Sequence, residues 1–225
     1  HHCINSRVNK GKIFFSAVFA TFLFILIQII CSSLGIILQG NMLKSDPSLF
    51  LLYPIIGDIL FGIGMFLYLG KENVRALCHI SSVPFRKYII PVVLIMVYSI
   101  AGNIILYTLP TSNTMEIMEG SMKINPLLYS LTVYLVAPIA EEFVFRGFIQ
   151  TRLRTVMNVF SAVLLSSALF GLTHLITGSL PTVTFAFVGG IIFGITYEKL
   201  GSLLPVIVIH IVGNLTEQLA MNLIV

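Results

Sequence analysis

Two adjacent glutamates and an arginine interrupt an apolar stretch, APIAEEFVFRGFIQ at residues 137–150. Two histidines, His174 and His210, stand in later apolar stretches, and Asn214 follows His210 by four positions. A charge placed among residues suited to hydrocarbon costs at least ~2.5–3.5 kcal/mol on insertion scales, so such groups mark paired or functional positions. On a helix, Glu142 and Arg146 share one face, with the acid N-terminal, the favourable order for an ion pair. Paired, the two charges are easier to bury than either alone. Glu141 points about 100° away around the helix and has no local partner. Arg146 is therefore read as the residue that neutralises and orients Glu142, and Glu141 as the reactive carboxylate, free to move a proton.

The two histidine segments supply the remaining parts. FGLTH places Phe170 one turn before His174, and HIVGN places Asn214 one turn after His210, each pair on one helical face. An imidazole and an amide on one stripe can both donate to a developing oxyanion. Glu141 and His174 can hold a water and take its proton. A base, a water site and oxyanion donors are the parts needed to hydrolyse an amide. The same Glu141, His174 and His210 also offer the oxygen and nitrogen ligands that a catalytic zinc accepts, with one position left for water. No H-E-x-x-H helix is present. Asn214 suits an oxyanion better than a ligand shell, which favours water activated by glutamate; the spacing leaves both chemistries open.

These groups need elements to carry them, and hydropathy supplies helices. The chain has 225 residues, of which 57% are hydrophobic and 10% charged, against about 25% charged in a soluble domain. Runs of roughly 20 apolar residues recur, each long enough to cross a ~30 Å hydrocarbon core. The expected fold is an all-α, polytopic integral membrane protein with about seven transmembrane helices and a buried catalytic cavity. The spans are 13–38, 49–69, 88–109, 126–150, 156–176, 182–197 and 202–225. They form one membrane domain over 13–225 behind an N-terminal tail at 1–12, in which His1 and His2 read as a tag remnant. Straight helices leave a difficulty: Glu141 lies well below the outer end of its span and His174 close to the outer end of its own. Tilted helices, or an ITGSLP link that dips inward, would close that gap.

Loop charge sets the expected orientation, because Lys and Arg gather on the cytoplasmic side. With the N-terminus inside, Arg7, Lys10, Lys12, Lys71, Arg75, Arg86, Lys87, Arg146, Arg152, Arg154 and Lys199 fall near the inner face, and only Lys44 and Lys123 near the outer. The N-terminus is thus expected in the cytoplasm and the C-terminus outside. The net charge of +4 reflects this topology and contact with anionic membrane lipid, and nothing supports nucleic-acid binding. Cys3, Cys31 and Cys78 have no paired spacing, so neither a disulfide framework nor a cysteine metal site is indicated.

Together, E-E-x-x-x-R (Glu141, Glu142, Arg146), F-x-x-x-H (Phe170, His174) and H-x-x-x-N (His210, Asn214) resemble the CPBP family of intramembrane proteases. That family, also called Abi, groups CAAX prenyl proteases with bacterial bacteriocin-processing and immunity enzymes. The resemblance covers roughly residues 125–220, where YEKLGSLLPVIVIH also resembles the family's approach to its last motif. It implies that Glu141 and His174 position the catalytic water and that His210 and Asn214 form the oxyanion site. Glu142 and Arg146 would support them, with Phe170 shaping the pocket. Family members are described both as metalloproteases and as glutamate-type proteases. A peptide or small protein substrate in a bacterial plasma membrane is expected, such as a signalling peptide, a leader or a bacteriocin. The rivals are a bacteriocin self-immunity protein and a non-enzymatic membrane scaffold. A proton-coupled transporter would predict repeat symmetry, which the sequence lacks.

Three further features lie outside the motifs. Asp58 is a buried acid with no evident partner. Glu217 is expected at the outer interface. Gly190 and Gly194 form a G-x-x-x-G, a device for close helix packing.

Overall fold

A computed structural model describes residues 10–39, 51–69, 81–107, 123, 125–177 and 180–224. Among these the chain is mostly helical and contains no strand. Seven long helices follow one another: α1 (Lys10–Gln39), α2 (Leu52–Leu69), α3 (Ile89–Tyr107), α4 (Pro126–Leu153), α5 (Val159–Thr173), α6 (Leu180–Leu200) and α7 (Leu203–Ile224). Their positions match the seven apolar runs. The expected link at 111–125 lies almost entirely outside the described residues, as do residues 1–9 of the tail.

Length separates the helices into two groups. Five are long and apolar enough to cross a membrane: Lys10–Leu34, Phe85–Ile105, Pro126–Leu153, Leu180–Leu200 and Leu203–Ala220. The apolar portions of α2 and α5, Ile55–Met65 and Val159–Thr173, are shorter. Among the described residues, five of the seven helices thus qualify as spans where seven were expected, and the chain is an integral membrane protein. At ~1.5 Å per residue α5 rises only ~22 Å, less than the ~30 Å of hydrocarbon. Helix α5 ends at Thr173, with His174 as its C-terminal cap. From His174 to Thr177 the chain turns as a 3-10 segment; the rest of ITGSLP lies partly outside the described residues.

Capping side chains start two of the helices that carry the site. Asn125 accepts from the Leu128 amide at 3.1 Å, with Pro126 at the first position, and Asn158 accepts from the Ser161 amide at 2.8 Å. Both satisfy amides that a helix leaves open. The core is an aromatic seam in which Phe24 meets Phe61 and Phe145 edge to face, and Phe145 meets Phe170. It joins α1 and α2 to the helices that bear the motifs. Gly190 and Gly194 let α6 approach α5: a Cβ at Gly190 would stand 3.1 Å from Ser167 Cβ, and one at Gly194 2.9 Å from Val163 Cγ1. Gln28 of α1 donates a hydrogen bond to Asp58 of α2. Asp58 thus has a partner that sequence reasoning did not find, although Gln28 stands as the one amide in an otherwise apolar run.

Helix α4 is not uniform. Thr132–Val136 and Phe143–Gln150 run as π-helix, with α-helical Ala137–Glu142 between them. The wider i→i+5 ladder, frequent at functional sites, leaves carbonyls free to take side-chain donors. Val133 O accepts from Asn214 Nδ2 at 2.9 Å, and Arg146 O accepts from Thr151 Oγ1 at 2.9 Å.

Candidate active site

Four helices meet at Glu142. Its Oε1 accepts from Arg146 NH1 at 3.1 Å, one turn on in α4, and lies 2.8 Å from His210 Nδ1 of α7. Glu142 and Arg146 are wholly buried. A buried pair gains from further hydrogen bonds, and the guanidinium finds some of them elsewhere, although its Nε and Glu142 Oε2 are buried without a hydrogen-bond partner among the described residues. Its NH2 donates to Gly190 O of α6 at 2.9 Å, and its carbon lies 4.7 Å from the Phe170 ring centroid and 5.3 Å from that of Phe193. A cation over aromatic faces gains from their quadrupoles. Gln150, one turn beyond Arg146, repeats the pattern by donating to Gly194 O at 3.1 Å. The G-x-x-x-G thus does more than pack helices: its carbonyls anchor Arg146 and Gln150.

His210 bridges the two glutamates. Its Nδ1 meets Glu142, and its Nε2 stands 3.6 Å from Glu141 Oε2. The first distance is a hydrogen bond; the second is too long for one. Phe193 stacks on the imidazole at 4.5 Å between centroids and 23° between planes, and Phe170 meets it edge-on at 6.0 Å. The ring is therefore fixed by a carboxylate on one nitrogen and an aromatic plate on one face, which leaves the Glu141 side with the looser contact.

His174 reaches the same region from the end of α5. Its Nδ1 lies 3.2 Å from both Phe170 O and Thr173 Oγ1, and its ring packs edge-on against Phe170 at 5.0 Å. A cavity of about 120 Å³ opens among α3, α5, α6 and α7, and its walls include His174, His210, Asn214, Phe170 and Phe193. Asn214 gives one amide proton to Val133 O; a primary amide carries a second.

The predicted site residues are thus distributed as follows. Glu141, Glu142, Arg146, His210 and Phe170 form one connected cluster, and His174 and Asn214 share a cavity wall with His210. Three participants were missed. Phe193 carries no polar signal, the Gly190 carbonyl belongs to a backbone, and Glu217 was placed at the outer interface. Glu217 instead lines the cavity, three residues past Asn214 on the same helix. Its spacing from His210, seven residues, was the signal that could have found it. Among the described residues no group of three His, Cys, Asp or Glu side chains stands at metal-holding spacing.

Comparison with curated proteins and with solved structures gives no match. A family model does match: residues 123–216 fit the type II CAAX prenyl endopeptidase Rce1-like family. The matched segment begins just before α4 and contains every residue of the cluster and all three motifs. The segment that carries the buried glutamates, both histidines and Asn214 is therefore similar to the Rce1-like family, which is consistent with the CPBP family of CAAX-type proteases.

Proposed function

We propose that the protein is an intramembrane endopeptidase in which Glu141 and His174 activate water and His210 and Asn214 stabilise the oxyanion. The observation that carries this reading is the meeting of His174, His210 and Asn214, from two distant helices, on one cavity, with Glu141 Oε2 at 3.6 Å from His210 Nε2. Glu141 takes a proton from water as its oxygen attacks the scissile carbonyl carbon. The carbonyl oxygen, now negative, receives hydrogen bonds from His210 Nε2 and from the second amide proton of Asn214. Collapse of the intermediate expels the amine, which takes the proton held by Glu141. Glu142 and Arg146 act one step back, by fixing the tilt of His210 through its Nδ1; donation from Nε2 to the oxyanion requires the ring to carry a proton on both nitrogens. No step is routed through a metal.

The substrate is a peptide or small protein of a bacterial plasma membrane, with the enzyme's N-terminus in the cytoplasm as loop charge indicates. Resemblance to the CAAX proteases supports proteolysis, and a signalling peptide, leader or bacteriocin is the substrate class proposed.

Purified protein in lipid nanodiscs, incubated with a peptide panel and read by mass spectrometry, tests the proposal. Cleavage is expected from the wild type, with and without chelator, and not from Glu141→Gln. Loss with chelator and rescue by zinc would overturn the metal-free mechanism. Biological activity that survives both Glu141→Ala and His174→Ala would replace the enzyme with a scaffold.

A further inference from the structure

The cavity contains one acidic group that the proposed mechanism does not use. Helix α7 contributes His210, Gly213, Asn214 and Glu217 to its wall, a stripe at the helical repeat. The opposite walls are mainly aromatic and apolar, including Phe170, Phe185 and Phe193. Tyr98 is also there, but its hydroxyl is donated to Phe185 O. An acid within a spanning helix is costly unless it is paired or used. Among the described residues, the Glu217 carboxylate has one hydrogen bond, from Ser99 Oγ of α3 at 3.4 Å, the long end of the range. Among the described residues, no Lys, Arg or His comes within ion-pair distance of it. Asn103 Nδ2, also of α3, donates instead to the Glu217 backbone carbonyl at 3.3 Å, which fixes the backbone and leaves the carboxylate to the cavity.

We propose that Glu217 is an acidic subsite that binds a cationic side chain, Lys or Arg, of the peptide substrate. The inference rests on the endopeptidase reading above. Along α7, Glu217 lies ~4.5 Å beyond Asn214 and ~10 Å beyond His210. An extended peptide advances ~3.3–3.6 Å per residue, so the cation sits within about three residues of the bond held at the oxyanion site. The aromatic walls select apolar neighbours around it. The cation supplies the charge that the carboxylate lacks, in a setting where water is scarce and Coulomb attraction is strong.

A merely structural Glu217 would tie α7 to Ser99, and Glu217→Gln keeps that acceptor while removing the charge. The probe is a set of apolar heptapeptides carrying one Lys at each position in turn, beside the same peptides with norleucine. Binding is measured in nanodiscs on the Glu141→Gln protein, where cleavage plays no part. At one or two positions the Lys peptide is expected to bind about tenfold more tightly than its norleucine partner, and Glu141→Gln/Glu217→Gln is expected to erase that preference. With the wild type, the Lys-to-norleucine ratio of kcat/KM is expected to fall about tenfold on Glu217→Gln. Equal binding of the two series, failure of both to bind, or a preference that survives Glu217→Gln would overturn the subsite. A Lys preference in binding without cleavage of any peptide would instead overturn the endopeptidase reading and leave the subsite standing.

Discussion

Removing Arg146 tests the central claim that the cluster is a balanced electrostatic unit. Arg146→Met retains most of the side-chain length but deletes the 3.1 Å ion pair with Glu142, the 2.9 Å bond to Gly190 O and the contacts over Phe170 and Phe193. Both partners are fully buried, so solvent cannot compensate the orphaned carboxylate. Breaking one side of such a pair costs about 3–5 kcal/mol. At ~2–4 °C per kcal/mol for a chain of this size, the melting midpoint should fall by roughly 6–20 °C. Glu142→Gln removes the opposite charge while still offering His210 Nδ1 an acceptor. In the double variant neither charge is left alone, and the two losses should not add; a coupling of ~1–3 kcal/mol is expected. Thermal melts of the four proteins in one detergent supply the cycle. A single-variant loss below about 1 kcal/mol, or strictly additive losses, would refute the reasoning.

Three other outcomes follow from the same geometry. Glu141→Gln should lower peptide turnover by ~10²–10⁴ and shift the melt little, because its 3.6 Å approach to His210 is not a hydrogen bond; turnover and melting measured on one preparation separate the two. Gly190→Val should destabilise by ~1–3 kcal/mol, since a Cβ there would meet Ser167 Cβ at 3.1 Å and Phe170 Cδ1 at 3.2 Å; an unchanged melt would contradict close packing of α5 on α6. Asp58→Asn should keep the Gln28 contact, whereas Asp58→Leu leaves that amide unpaired and costs ~1–3 kcal/mol; equal melts for both would refute a hydrogen-bonded role.

Much of this was legible in the sequence because charge inside apolar runs is a high-contrast signal. Helix order, the Glu142–Arg146 pair and the close-packing glycines all follow from spacing along one helix. What spacing cannot encode is the rotation of one helix against another. His210 turns Nδ1 toward Glu142, and this places it with the supporting pair as well as beside Glu141. Phe193 was invisible because an aromatic residue in a membrane helix carries no contrast. Glu217 was misplaced because distance from the C-terminus was weighed above its helical phase with His210. The length of α5 was overestimated because the 3-10 turn after Thr173 is as apolar as the helix before it.

The two π segments, five and eight residues within a helix of 28, have a consequence for how the chain tolerates insertion and deletion. Dropping one residue from Thr132–Val136 could restore a regular α ladder and barely change the hydropathy of the span. It would nevertheless swing everything upstream by about 100° relative to Glu141 and Glu142, and carry Val133 O away from Asn214. A relative differing by that single residue would look like an intact membrane helix in any hydropathy profile, yet present its cavity with a different wall.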